Sequence, residues 1–246
     1  MEKIYYEFMT LIDFTYINSH GGLNITQYVL EYLSEREDHN DFLILLDKRN
    51  FLKLKTYNLK YNVIYKNEIS RFIFYLKYKT SFDSIVCFAN VPPPIKQNKK
   101  VKVYFHNELL LSTKGAEMTF IKKIILFFKK QYIRRLDFGY SWYVQTSYLK
   151  KLMSSSLNIN QGKIFITPIF KEIVLNKKLK RPNTFLYPTS ESKHKNIRRL
   201  ILAFVYASKK LKHKITLKLT IEEPKFNKFR LPQNFNIEYL GQLKHQ

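Results

Sequence analysis

Three short loops of the sequence carry residue types that could bind a phosphate or transfer a proton. The first contains Gly21-Gly22, just ahead of a predicted helix. Glycines there let backbone N–H groups approach a phosphate closely, and the start of a helix favours an anion. The loop lacks the GxGxxG pattern of dinucleotide-binding proteins. A tight strand-to-helix turn explains the pair equally well.

The second loop places His106 directly after a predicted buried strand, with Asn107 and Glu108 beside it. A histidine at the carboxyl end of a strand can hydrogen-bond a sugar hydroxyl or transfer a proton near neutral pH. The alternative is a histidine that caps the strand or packs in the core.

The third loop connects a strand to a helix through hydroxyl-bearing residues, among them Thr189 and Ser190, and through Lys193 and Lys195. A diphosphate needs such cations together with the N–H donors of a helix start. The alternative is a capped helix whose lysines are solvated.

Apolar or β-branched runs alternate with helical periodicity along most of the chain, which predicts an α/β fold with parallel sheets. The predicted strands are residues 3–14, 41–46, 61–65, 84–89, 101–105, 141–144, 163–167, 184–187, 215–221 and 237–240. The predicted helices are residues 24–34, 69–78, 118–136 and 196–211, with another after the cap residue Thr146.

Residues 176–183 are polar, basic and poor in apolar side chains, as is typical of a linker. We therefore expect one Rossmann-like domain over residues 1–175 and a second over residues 184–246, facing each other across a cleft. Ligands of open parallel sheets bind at the carboxyl ends of the strands. The three loops are expected to lie at those ends.

Taken in order, these loops resemble those of GT-B glycosyltransferases, specifically the retaining family 4 enzymes of bacterial polysaccharide synthesis. The resemblance covers the whole chain and depends on order and spacing more than on one motif. The segments that carry it are Gly21-Gly22, Tyr104-Phe105-His106-Asn107, the run 142–146 (WYVQT), Phe185 to Pro188, His194-Lys195-Asn196 and Tyr239-Leu240-Gly241.

The resemblance implies the transfer of a sugar from a nucleoside diphosphate sugar to a surface-glycan or lipid-linked acceptor, with retention of configuration. It places His106 at the reacting sugar and Asn107 and Glu108 on the acceptor side. It implies that the donor is bound by Gly21, Gly22, Thr189, Ser190 and Lys195. No cofactor and no metal are expected, because protein cations stabilise the departing diphosphate in this family.

The second predicted domain departs from the family pattern in two respects. Its first strand ends in Tyr187-Pro188-Thr189, where family members usually carry a basic residue. The paired glutamates that hold the donor would lie beyond residue 246, and the adjacent Glu222-Glu223 cannot replace them. We therefore expect an incomplete donor domain with an exposed strand edge and an uncovered apolar face, and weak or no activity of this chain alone.

The formal net charge is +24, from 43 Lys and Arg against 19 Asp and Glu. The excess is mostly lysine and is spread along the chain after residue 50, so no specific nucleic-acid partner is expected. The single cysteine, Cys87, excludes a disulfide framework and a cysteine-built zinc site. With no signal peptide and no long apolar run, the expected location is the cytoplasm.

The predicted helix 118–136 has an apolar stripe of Ile121, Ile124, Ile125, Phe128 and Tyr132, flanked by lysines and arginines. The simpler interpretation is that this stripe packs on the sheet. The alternative is that the helix lies on an anionic membrane at the inner face of the cell membrane. A basic, non-catalytic membrane- or nucleic-acid-binding protein is accordingly the second functional hypothesis.

Overall fold

The computed structural model describes residues 9–17, 20–65, 67–113, 118–169, 181–189, 195–223 and 230–241. The chain forms two compact units. Residues 1–114 and 118–173 make up the first, and residues 115–117 and 174–246 make up the second. Most of the predicted linker, residues 176–180, lies outside the described residues.

The first unit alternates strands and helices. Its strands are β1 (Met9–Asp13), β2 (Phe42–Asp47), β3 (Lys60–Ile64), β4 (Phe82–Cys87), β5 (Lys100–Phe105), β6 (Ser141–Val144) and β7 (Ile164–Ile166). Its helices are α1 (His20–Ser34), α2 (Lys48–Phe51), α3 (Glu68–Lys77), α4 (Phe120–Arg135) and α5 (Ser147–Leu157), with 3-10 turns at His39–Asp41, Glu108–Leu110 and Gln161–Lys163.

The seven strands form one sheet in the order β3-β2-β1-β4-β5-β6-β7, and every neighbouring pair is parallel. The predicted α/β class with a Rossmann-like parallel sheet is thereby confirmed. The strand order reverses between β1 and β4. Loops that leave the carboxyl ends of these two strands run in opposite directions, and this opens the crevice that such sheets use for ligands.

Apolar side chains cover both faces of this sheet. One cluster joins strand residues such as Leu11, Val103 and Trp142 to α3, α4 and α5. The other joins Ile12 and Ile44 to α1 and the loops beside it. Burial on both faces explains why strands such as β2 (FLILLD) are apolar without alternation.

The second unit has a three-stranded parallel sheet in the order β10-β9-β8 and one helix among its described residues. The elements are β8 (Thr184–Tyr187), α6 (Ile197–Lys210), β9 (Ile215–Leu219) and β10 (Phe235–Tyr239). Ile201 of α6 packs with Leu217, Leu219 and Phe235 in the core of this unit.

The other face of the small sheet is largely polar. Register pairs Thr184 with Thr216, and Lys218 with both Leu186 and Glu238, and Lys218 forms an ion pair with Glu238. Leu186 of the edge strand β8 is exposed on this face, and Phe185 of the same strand is 50% exposed on the face that packs against α6. Apolar surface is therefore uncovered at β8, whereas alternation in β9 and β10 places polar side chains on the face away from α6.

Candidate functional site

The carboxyl ends of β1 and β4 meet at the point where the strand order reverses. The backbone N–H of Phe88 donates to the carbonyl of Asp13 at 2.8 Å. The Phe14 and Phe88 rings stack with centroids 4.8 Å apart. The loops after β1 and β4, which could contact a ligand at this edge, are therefore packed against each other where they leave the sheet.

A buried ion pair lies directly beneath this edge. Asp13 ends β1 and Arg71 lies in the first turns of α3, and both side chains are excluded from solvent. Asp13 Oδ2 accepts from Arg71 Nη2 at 2.9 Å, from Arg71 Nε at 3.0 Å and from the Tyr75 hydroxyl at 2.7 Å. Asp13 Oδ1 accepts from the Thr15 amide and hydroxyl. The carboxylate thus fixes α3 and the loop after β1.

Arg71 and Cys87 each keep one protonation state near neutral pH. Burial opposes the charge on Arg71, but the Asp13 carboxylate outweighs it and holds the pKa of the guanidinium well above its usual range. Burial raises the pKa of the Cys87 thiol to about 12. Cys87 is therefore a protonated core residue and not a nucleophile. Sequence reasoning missed this network, since Asp13 and Arg71 are far apart in the chain.

Asp47 at the end of β2 holds the loop after β1 from the other side. Its carboxylate accepts from the Tyr16 amide at 3.0 Å and caps α2 through the amides of Arg49 and Asn50. The Asn50 side chain in turn donates to the Phe14 carbonyl at 2.7 Å. Two neighbouring strand ends therefore fix the backbone of residues 14–16.

His106 follows β5 and is half-buried. Its Nδ1 atom is inaccessible to solvent and has no hydrogen-bond partner among the residues that the structure describes. Burial lowers the pKa of the imidazole. The ring is therefore predominantly neutral near pH 7, and its Nδ1 atom is out of reach of a ligand that arrives from solvent.

Asn90 determines where the His106 loop lies. It follows β4, has a φ of +65° and is buried. Its Oδ1 accepts from the amide of His106 at 2.7 Å and from the amide of Asn107 at 3.1 Å. Asparagine tolerates the left-handed conformation better than most residues, so Asn90 suits this position on two grounds. The sequence analysis missed Asn90, although an asparagine between a buried strand and three prolines is a detectable turn signal.

Asn107 and Glu108 lie beside His106 and make contacts within the protein. Asn107 Oδ1 accepts from the amide of Leu109 at 3.2 Å and caps the 3-10 turn Glu108–Leu110. Glu108 is exposed and accepts from the Tyr148 hydroxyl at 2.9 Å. The Asn107 carboxamide and the Glu108 carboxylate thus stabilise the loop. The acceptor-side role of both residues stays a prediction.

Gly21 and Gly22 lie within α1 and not in the loop before it, because the helix begins at His20 instead of near Asn24. A Cβ at Gly22 would lie 2.8 Å from Cγ2 of Ile17, whereas a Cβ at Gly21 would meet nothing within 4 Å. Close packing against Ile17 therefore accounts for Gly22. Both glycines are still in the first turn of α1, where backbone N–H groups lack helical partners.

The other residues predicted to bind the donor, Thr189, Ser190 and Lys195, lie in the second unit. The Thr189 amide donates to Thr220 Oγ1 at 2.7 Å, and the Thr220 hydroxyl donates to the Thr189 carbonyl at 2.9 Å, which joins the ends of β8 and β9. Lys195 is exposed just before α6. Ser190 lies outside the described residues.

Within the described ranges, no group of three or more His, Cys, Asp or Glu side chains is placed to hold a metal ion. In the same part of the chain, no helix is both long and apolar enough to span a bilayer. No protein-family model matches this chain, and no curated protein sequence matches it either.

Proposed function

We propose that this protein is a glycosyltransferase of the GT-B type that moves a sugar from a nucleoside diphosphate sugar to a surface-glycan or lipid-linked acceptor. The observation that carries the proposal is the position of the half-buried His106 directly after β5, at the carboxyl edge of a Rossmann-like sheet. The support is twofold. The order of the loops resembles that family, and the positions of His106 and of the segment before α6 are those where sheets of this kind bind ligands.

In this proposal a neutral His106 positions the reacting sugar. Each nitrogen of a neutral imidazole makes one hydrogen bond, as donor or acceptor. Because Nδ1 is inaccessible to solvent, the sugar hydroxyl would bond Nε2, the other nitrogen of the ring. Asn90 fixes the backbone of His106, so the ring is held before the sugar binds.

The start of α6 supplies the cations for the donor diphosphate in this proposal. Lys195, Arg198 and Arg199 are all exposed there, and the first turn of α6 has no acidic residue. Positive side chains at a helix N-terminus are electrostatically unfavourable, because the helix dipole places positive charge at the same end. A bound diphosphate would reverse this, since it pairs with the cations and accepts from free N–H groups. The two arginines could also replace the basic residue missing at the end of β8.

Calorimetric titration of UDP-glucose, UDP-N-acetylglucosamine and GDP-mannose tests the proposal. We expect saturable binding of at least one donor by the unaltered chain and its loss in Lys195→Ala. Lys212→Ala is the matched control, because Lys212 is an exposed lysine of the same unit, and it should bind like the unaltered chain. Heparin, a polyanion without a nucleotide, is titrated in the same way. The transferase proposal is wrong if heparin binds while none of the three donors does, or if Lys195→Ala and Lys212→Ala bind the donors with the same affinity. The basic binding-protein hypothesis then replaces it.

A further inference from the structure

Four of the five residues in the apolar stripe predicted from the sequence of α4 are exposed, and Tyr132 is the exception. Ile121 is 69% exposed and Phe128 is 65% exposed, and Ile124 and Ile125 are also exposed. Phe120 (77%) and Phe127 extend the exposed set. In globular proteins a helix buries its broad apolar face, so the interpretation that this stripe packs on the sheet is wrong.

A different and narrower face attaches α4 to the first unit. Ile133 is buried and Leu126 is half-buried in the core cluster on this side of the sheet. On a helix of 3.6 residues per turn, the six exposed apolar side chains fall within a sector of about 160°, and Leu126 and Ile133 lie roughly opposite it. Tyr132 belongs to the predicted stripe and falls within the same sector, but it is half-buried and its hydroxyl donates to Glu68 of α3 at 3.0 Å. The helix is thus attached through Leu126, Ile133 and Tyr132, and exposes the six other apolar side chains.

The charged residues of α4 itself are all basic. Helix α4 contains no Asp or Glu, and its basic residues are Lys122, Lys123, Lys129, Lys130, Arg134 and Arg135. Five of the six are exposed and Lys130 is half-buried. Lys122 and Lys129 border the apolar sector on one side, and Lys123 and Arg134 border it on the other, whereas Arg135 falls within the sector at the C-terminal end of the helix.

We propose that α4 is a membrane-docking helix that lies in the surface of an anionic bilayer. An apolar face flanked by lysines is the arrangement in which a helix inserts its apolar side chains at the headgroup boundary while the ammonium groups contact anionic lipid. A second copy of this chain is the weaker candidate, because it would bring an equal set of cations against the first and the chain already carries +24. The partner that covers this face must offer apolar surface to the exposed side chains and negative charge to the lysines. A membrane with anionic headgroups offers both.

This inference does not depend on the transferase proposal, because it is drawn from the exposure and charge of α4 alone. The two fit together all the same, since α4 follows the loop that contains His106 in the chain. A transferase docked through α4 would meet a lipid-linked acceptor at the same surface. If the experiment contradicts one of the two proposals, the other is not affected.

The decisive experiment removes apolar surface while leaving the charge unchanged. The purified full chain is sedimented with vesicles of phosphatidylcholine alone, or of phosphatidylcholine mixed with phosphatidylglycerol. We expect binding to the mixed vesicles, and a loss of at least about tenfold in Phe120→Ser/Phe128→Ser. Leu52→Ser/Tyr65→Ser is the matched control, because these two side chains are equally exposed but lie outside α4. It should bind like the unaltered chain, and circular dichroism checks that each variant is folded.

A second pair of variants tests whether the lysines of α4 contribute to binding. Both variants lose four lysines, so their total charges are equal. We expect Lys122→Gln/Lys123→Gln/Lys129→Gln/Lys130→Gln to weaken binding to the mixed vesicles more than Lys209→Gln/Lys210→Gln/Lys212→Gln/Lys214→Gln, which removes the same charge from the second unit. Equal losses would mean that net charge alone attracts the chain to the vesicles, and would overturn the proposal. So would unchanged binding by Phe120→Ser/Phe128→Ser. A dimer in light scattering that these serines dissociate would identify a second copy as the occupant, and would also overturn it.

Discussion

The side chain of Asn90 and the backbone of His106 are joined by a hydrogen bond of 2.7 Å that crosses between the ends of neighbouring strands. Because the same Oδ1 atom also accepts from Asn107, a single carboxamide fixes the loop that carries the candidate catalytic histidine. Asn90 adopts a left-handed conformation to do so. The position of His106 therefore depends on a residue sixteen places earlier in the chain.

Substituting Asn90 should show how much this bond contributes. Asn90→Ala leaves two amides without their acceptor and puts a less tolerant residue at positive φ, so we expect a loss of about 1–3 kcal/mol in the free energy of unfolding. Asn90→Asp keeps the acceptor oxygen and the conformational tolerance, and should lose less. Urea denaturation followed by circular dichroism measures both. Equal losses would show that the hydrogen bonds to His106 and Asn107 contribute little.

The buried imidazole of His106 should make stability depend on pH. Its pKa is lower in the folded chain than in the unfolded chain, so the unfolded chain binds more protons as the pH falls below about 6.5. The contribution of the neutral His106 ring to the free energy of unfolding is fully present above that pH. It is lost as the pH falls through the lower pKa of the folded chain. We expect the difference in stability between the unaltered chain and His106→Gln to be constant near pH 8 and to shrink towards pH 5. A pH-independent difference would indicate that His106 is solvated or already bonded.

The sheet could be predicted because each of its features is local in sequence. Strands buried on both faces appear as short apolar runs, and the cap at Thr146 is confirmed by its bond from the Leu149 amide at 3.2 Å. Strands β6 and β8 have the predicted bounds. The start of α1 was placed too late because two adjacent glycines indicate a loop, whereas here close packing against Ile17 requires Gly22 inside the helix.

Other features could not be predicted because they depend on tertiary contacts. Periodicity showed that α4 has an apolar stripe, but not which of its faces contacts the sheet, and the residues that do are Leu126 and Ile133. The partnership of Asp13 with Arg71 and the acceptor role of Asn90 each join distant segments. The short helix α2 has no periodicity of its own and forms where Asp47 caps it.

The two glycines of α1 should respond in opposite directions to alanine. Gly21→Ala adds a methyl group in open space within a helix, and should raise the free energy of unfolding by up to about 1 kcal/mol. Gly22→Ala would force its methyl group against the buried, branched side chain of Ile17, and we expect a net loss of roughly 1–2 kcal/mol. Thermal denaturation compares the two variants directly. A similar gain in both would mean that Ile17 moves aside freely.

Removing one partner of the buried ion pair between Asp13 and Arg71 should lower the free energy of unfolding more than removing the charges of both. Arg71→Met leaves the Asp13 carboxylate buried with only Thr15 and Tyr75 as described hydrogen-bond partners, so we expect a loss of about 3–5 kcal/mol in the free energy of unfolding. In Asp13→Asn/Arg71→Met no charge is buried, and the asparagine oxygen can still accept from Thr15 or Tyr75. The double variant should therefore be more stable than Arg71→Met alone.

Chemical denaturation of the unaltered chain, both single variants and the double variant gives the coupling free energy between the two side chains. A double variant that loses the sum of the single losses would show that Asp13 and Arg71 act independently. That result would assign the fixing of α3 against β1 to apolar packing around Tyr75 and Cys87. A large coupling would assign it to the ion pair, and would make the base of the candidate site sensitive to any change that removes one charge and keeps the other.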